Sequence, residues 1–443
     1  MHQLAALCLF ACASFAPPVA HAIDAPAQDP VPQKPAAPDP KDPAKAKFAG
    51  RKLGGKVGRG GGATQATEFA LLKSMRWLMR HQSADGSWTI AGVAAACDPE
   101  SHCQAAAAGT TANHDVGLTS LSLLVFLGAG YHSQSKQDLV DALRGARRNI
   151  GEIVGKAASW LVQHQREDGS FADSSSFLFD DACATLALVE VYGLTSEPAF
   201  AGPAQKAIDH LQLVQRSNPA GEGKWGWGFR ARDKQAKAAA TSDDDSELSA
   251  STWAALALRS ACISRLNVDP NSLAGAFAFA DASAKGTGPA SPKRAADKSA
   301  AHPAFASAID ACLRLYSAPS AKDPFLGVAR ARMLADLPGS GSKADPIDYE
   351  YWHFAHMALW QLDGPDRTVR DAKTWDTWNK ALVQALLAGQ SDDKLHCQHG
   401  GWTAPDRSGA EGGALYATAL NALTLESYYR YWPALEPAPT PAK

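Results

Sequence analysis

The side chains best equipped for chemistry in this sequence come in short runs. His396-Cys397-Gln398-His399 places three metal-ligand groups within four residues, and zinc takes three or four such nitrogen and sulfur donors in a tetrahedral shell. Completed from other parts of the chain, the expected ligand set is His353, His399, Cys397 and Cys183, with zinc as the ion. Carboxylates gather similarly: Asp115 beside His114, Asp180 beside Asp181, and Asp243-Asp244-Asp245 just ahead of Glu247. Paired carboxylates with an imidazole nearby are the groups of general acid–base catalysis. Asp181, Asp244, Asp245 and Asp115 are the candidate catalytic residues, and His114, Asp180, Glu350 and Tyr351 the candidate ligand contacts. A plainer role competes with this one. Carboxylates in the first turn of a helix stabilise it by about 1 kcal/mol or less each. Capping does not account for the five His (114, 302, 353, 396, 399) and two Cys (183, 397) gathered among them.

The elements that would position these groups are repeats. Residues 73–88 run Lys73, Trp77-Leu78, Gln82, Gly86-Ser87-Trp88, and the order recurs as Lys156, Trp160-Leu161, Gln165, Gly169-Ser170-Phe171. A third copy has Lys206, His210-Leu211, Gln215 and Gly223-Lys224-Trp225. A fourth, degenerate copy has Lys380, Leu386, Gln390 and Gly400-Gly401-Trp402. Counting back from each Gln by four, seven and eleven gives Leu78/Met75/Leu71, Leu161/Ala158/Val154, Leu211/Ile208/Ala204 and Leu386/Val383/Asn379. That spacing is one helical face, so each copy is a helix, a Gly stop and an aromatic plug. Between the copies lie segments apolar or small nearly all round, such as Asp115-Val-Gly-Leu-Thr-Ser-Leu-Ser-Leu-Leu-Val-Phe-Leu127, which must be buried on every side. The alternation predicts six helix pairs: 66–82 with 114–129, 150–165 with 178–193, 203–216 with 245–264, 270–284 with 303–317, 324–336 with 347–362, and 375–390 with 412–430.

The pattern Lys-x-x-x-Trp-Leu-x-x-x-Gln-x-x-x-Gly-x-Trp resembles the QW motif of squalene–hopene and oxidosqualene cyclases, over roughly residues 64–433. The resemblance implies an all-α fold, an (α/α)6 toroid of six helix pairs shared with protein prenyltransferase β subunits and complement thioester domains. In such a toroid the inner helices all point one way, so their first turns, which carry the candidate residues, converge on one mouth. The cyclases protonate an alkene with the middle Asp of Asp-x-Asp-Asp; Asp243-Asp244-Asp245-Ser246 has Ser in the last place. The prenyltransferases hold zinc with Asp-x-Cys on one inner helix and a His on the next. Asp181-Ala182-Cys183 matches the first half and Glu350-Tyr351-Trp352-His353 resembles the second half's Asp-Phe-Tyr-His, yet they fall in the second and fifth pairs. Thioester chemistry needs Cys-Gly-Glu-Gln, which is absent.

Residues 1–22 have the form of a cleavable signal, with an apolar core from Leu4 to Ala16 and Ala20-His21-Ala22 at its end. A secreted or periplasmic location is expected, and Cys97 with Cys103 is then the local disulfide. Residues 23–63 are a Pro- and Gly-rich tether in which Gly50 to Val57 imitates a phosphate loop without its Ser/Thr; the tail from 434 is Pro-rich. A formal charge of −2 with 20% charged residues argues against nucleic acid as a partner. No later run is long and apolar enough to span a membrane. The expected function is binding of a lipid or isoprenoid in the central cavity without acid-initiated cyclisation. The alternatives are an enzyme at the mouth, either a diverged terpene cyclase or a metal- or carboxylate-dependent lyase or hydrolase, and a scaffold for protein partners.

Overall fold

The computed structural model describes residues 48, 51–53, 62–98, 100–104, 113–171, 177–219, 221–228, 246–285, 302–339, 347–365, 367, 370–406, 409–431 and 433–435. The signal, most of the tether, the insertion at 286–301 and the Asp243-Asp244-Asp245 run lie outside the described residues. The first helix shows why elements begin where they do. The Thr64 hydroxyl accepts from the Thr67 N–H, and the Thr67 hydroxyl accepts from the Thr64 N–H, so two otherwise orphaned donors are satisfied. That helix, α1 (Gln65–His81), buries Leu71, Met75 and Leu78 completely. Its counterparts in the next two copies are α4 (Ile150–His164) and α6 (Pro198–Val214), which bury Val154, Ala158 and Leu161 and Ala204, Ile208 and Leu211. In α12 (Ala372–Gly389) the buried face is Trp375, Trp378, Leu382 and Leu386 rather than the predicted Val383 and Asn379. The two Trp rings supply the apolar area, so the stripe turns towards them.

Between these lie helices buried almost throughout: α3 (Asp115–Gly128), α5 (Leu178–Thr195), α7 (Leu248–Ile263), α9 (Pro303–Ser317), α11 (Tyr349–Asp363) and α13 (Gly409–Leu425). Each packs on the next in that order, and α13 packs back on α3. The outer set, completed by α8 (Pro270–Ala284) and α10 (Pro324–Leu334), packs against this inner cycle. The structure is mostly helical.

The repeated glutamines are stitches between neighbouring outer helices. Each uses its side-chain amide twice: Gln82 donates to the Gly86 and Ile153 carbonyls, Gln165 to Gly169 and Pro203, Gln215 to Trp225 and Ser272, and Gln390 to Gly400 and Ala70. Each thus ties its own turn to the next outer helix, and the last ties α12 to α1. The glycines are dictated by the same contact. Gly86, Gly169 and Gly400 all have positive φ, and a Cβ there would run into the backbone of Lys156, Lys206 and Lys73. The plugs also share one bond: the indoles of Trp88, Trp227 and Trp402 donate to the Leu78, Leu211 and Leu386 carbonyls. In the third copy the plug is therefore Trp227, not the predicted Trp225, whose backbone carbonyl instead takes the Gln215 amide.

Three features depart from the predicted order. A short helix, α2 (Ile90–Ala96), and a hairpin of β1 (Asp138–Asp141) with β2 (Ala146–Asn149), pairing Asp138 with Asn149, fill connections expected to be plain loop. The tether is not wholly unpacked, since Phe48 and Arg51 are buried. The predicted 412–430 helix is broken after Leu425, and its last residues form a separate turn, α14 (Ser427–Arg430). Among the described residues no helix is long and apolar enough to cross a membrane.

Candidate functional site

His114 is the residue just before α3, and its side chain makes no capping bond to its own helix, which leaves the imidazole for another use. Nδ1 lies 3.1 and 3.2 Å from the two oxygens of Asp180, in the first turn of α5, and Nε2 lies 3.6 Å from Glu411. Gly117 leaves room for this pair, because a Cβ there would overlap the Asp180 carboxylate. Burial by itself pulls the imidazole down, but the two carboxylates outweigh it and hold His114 up at about 9. Burial pushes Asp180 up to about 6 although His114 partly offsets it. The pair is an imidazolium facing a carboxylate at neutral pH.

Around it is a cavity of about 100 Å³ with apolar walls from Leu118, Phe177, Phe179 and Tyr416 and polar rims from Glu247, Glu350 and Glu411. Phe177 packs on His114 at 4.4 Å with the rings tilted by 33°, and Phe179 meets Trp253 edge-on at 5.8 Å. Glu247 caps α7, and Glu350 accepts from Ser249. Of the predicted ligand contacts, His114 and Glu350 line this cavity and Asp180 meets it through His114, while Phe179, Glu411 and Tyr416 were not foreseen. Asp115, half-buried next to His114, is pushed up by burial. Tyr351 is not at the cavity: its hydroxyl donates to the Asp336 carbonyl and fastens α11 to the end of α10.

Asp181 has a structural duty. Its carboxylate accepts from the backbone N–H of Phe171, the plug of the second copy, at 2.8 Å. Thr119, Ser251 and Thr418 do the same for Trp88, Trp227 and Trp402 in the other copies. The catalytic role expected for Asp181 gives way to this pin, because its oxygens face the plug and His210 rather than the cavity. Asp181→Ala is expected to cost about 1–3 kcal/mol by orphaning a buried N–H, and Asp181→Thr less than half of that, in urea titrations of the two variants. Asp244 and Asp245 lie outside the described residues.

The predicted metal set is dispersed. His353 is fully buried on α11, with Nδ1 2.9 Å from the Thr424 hydroxyl and its ring stacked on Trp253; burial lowers it to about 3. Cys183 is enclosed in α5, where burial pushes its thiol up. α5 and α11 are not neighbours in the inner cycle, so no local movement joins these residues. His399 points its Nε2 towards Asp392 at 3.8 Å.

Cys397 instead meets residues from the first copy. Its sulfur lies 3.3 Å from His81 Nε2, with Cys103 at 3.6 Å and Cys97 at 3.8 Å from the same nitrogen. All four donor atoms lie within 4.8 Å of one another, and among the described residues they are the one such cluster. The expected Cys97–Cys103 disulfide is not formed; both are free thiols. His81 went unnoticed because it occupies an ordinary helix-end position beside the repeat's Gln82. The usable signal is that Cys97, Cys103 and Cys397 stand near the two ends of the repeat region.

No protein-family profile matches this chain, and no curated protein matches it. Among solved structures, a variant of the type II terpene cyclase MstE from Scytonema, in complex with geranylgeranyl dihydroxybenzoate, aligns with 82% of this chain and 97% of its own. The identity is 14% and the TM-score 0.47. Apo MstE gives 12% identity and 0.47 over the same shares, and a protein from Actinoplanes gives 14% and 0.42 over 82% and 99%.

Proposed function

We propose that the chain is a secreted or periplasmic α/α toroid with QW-type repeats, of the terpene cyclase and prenyltransferase type, whose mouth binds the end of a lipid or isoprenoid without acid-initiated cyclisation. The observation that carries this is the cavity between the first turns of the inner helices, walled by Leu118, Phe177, Phe179 and Tyr416 and edged by charged groups. Apolar walls with a few polar groups at one end suit a ligand with an apolar chain and a polar head. About 100 Å³ is small; pockets that enclose a whole drug-sized ligand run to roughly 300–1,000 Å³. The site therefore takes a terminal group and leaves the rest of the ligand outside.

Cyclisation is disfavoured by acidity as well as by size. Protonating an alkene requires an acid stronger than an ordinary carboxyl, and burial makes Asp180 weaker, at about 6, with its carboxylate already bonded to His114. Calorimetric titration of the purified chain with farnesol and geranylgeraniol tests the reading. Both are expected to bind, and Leu118→Trp, which fills the cavity, is expected to weaken binding by at least about tenfold, or about 1.4 kcal/mol. No heat with either alcohol, or equal affinity in the filled variant, would overturn it.

A further inference from the structure

We propose that His81, Cys97, Cys103 and Cys397 are the four ligands of a zinc ion that fastens the first repeat to the last. Geometry carries the assignment. With Zn–S near 2.3 Å and Zn–N near 2.0–2.1 Å, a tetrahedral centre has sulfur-to-nitrogen edges of about 3.6 Å. The three sulfurs stand 3.3, 3.6 and 3.8 Å from His81 Nε2. A disulfide would engage two of the thiols and leave the third with no part to play; a tetrahedron uses all of them.

The surroundings orient the ligands. His81 Nδ1 lies 2.7 Å from the Trp77 carbonyl, which only accepts, so Nδ1 carries the hydrogen and Nε2 presents its lone pair to the sulfurs. The Cys103 N–H donates to the Cys97 sulfur, and the Cys397 N–H donates to the Ser101 hydroxyl. Three thiolates around a dication leave one negative charge. Two guanidinium groups grip the same loop, each also paired with a carboxylate: Arg80, held by Asp141, donates to the His399 carbonyl, and Arg144, held by Asp98, donates to the His396 carbonyl. His81, Cys103 and Cys397 are buried, at 0, 8 and 4% exposed, and Cys97 is half-buried at the edge of the cluster. Four protein ligands leave no open coordination position, which makes the centre structural. His81 ends α1, Cys97 follows α2, and Cys397 lies between α12 and α13, so the ion crosslinks positions 316 residues apart.

The test uses the full chain, reduced, stripped with a chelator and reloaded with zinc. Elemental analysis is expected to find about one zinc per chain, retained in Cys262→Ala and lost in Cys103→Ala and Cys397→Ala. Should those variants not fold, wild-type protein loaded with Co²⁺ is expected to show intense sulfur-to-metal charge-transfer absorption. Peptide mapping is then expected to show Cys97, Cys103 and Cys397 shielded from alkylation until chelator is added. Failure to take up either metal after reduction, or retention of zinc by both variants, overturns the assignment. So does a Cys97–Cys103 disulfide that persists through loading. Ligand binding at the cavity is a separate readout and stands or falls independently.

Discussion

Replacing Arg430 by Ala is expected to cost about 3–5 kcal/mol, the range for removing one member of a buried ion pair. Arg430 is nearly inaccessible at the end of α14, and it donates to Glu190 at 2.9 Å and to the Leu124 carbonyl at 2.6 Å, with Glu426 at 3.5 Å. Arg51 reaches the same Glu190 at 2.7 Å and donates to the Arg430 carbonyl. Removing the guanidinium leaves two enclosed carboxyl groups sharing one cation. Burial pushes Glu190 up, but Arg430 and Arg51 outweigh it and hold the carboxyl below its usual value. A lowered folded-state pKa gives stability that is complete above the unfolded value and lost as pH falls through the folded one. Glu426 has the opposite sign: burial raises it well above its usual value, so its share is present when it is protonated and is lost as pH rises. In Arg430→Ala the Glu190 share shrinks and the Glu426 share grows, so the variant's deficit is expected to widen from about pH 4 to pH 7. Urea titrations of both proteins across that range measure it; a deficit that does not change with pH would remove the electrostatic explanation.

Trp402→Ala is expected to be as damaging, about 3–5 kcal/mol, the usual cost of deleting a buried aromatic side chain. The indole is fully enclosed and donates to the Leu386 carbonyl, while the Trp402 N–H donates to Thr418. The same turn contains Gly400, which rests on the α1 backbone at Lys73, and Gln390, whose amide reaches Ala70. The loss is therefore expected to be local first: in hydrogen exchange, amides at Ser391 to Ala404 should speed up more than those of α5 or α7. Uniform acceleration throughout the chain would mean that the plug stabilises the core as a whole and not this junction.

The elements were legible because their signals are local. A Gln that ends a helix, a Gly with positive φ and an aromatic plug sit within a few residues of each other, and the stripe four, seven and eleven positions back is visible in any one copy. What was illegible depends on what a side chain faces. Asp180 and Asp181 look equivalent in sequence, yet one turns to His114 and the other to the Phe171 N–H. Its counterparts Thr119, Ser251 and Thr418 are hydroxyls, so no identity marked the position as part of the repeat. The fourth-copy face was misplaced because Trp375 and Trp378 outweigh Val383 in buried area. The cysteine cluster was harder still: its donors come from both ends of the repeat region, and neither a spacing nor a composition announces a meeting that only closure creates. Cys97 and Cys103, taken alone, have the look of a disulfide pair.

The hydrogen bond from Gln390 to Ala70 joins residues 320 positions apart, and the inner cycle closes likewise where α13 meets α3. An open stack of repeats grows from any nucleus and protects its two exposed faces with specialised end units. Among the described residues the first repeat caps the last, through the Gln390–Ala70 bond and the α13–α3 packing. Partial assemblies consequently expose two unsatisfied faces until the final unit docks, and closure must bear the entropy of the longest loop in the molecule. A protein cut between α7 and α8 and rejoined end to end through a flexible linker would keep its inner cycle, with the order of assembly, not the final structure, as what changes.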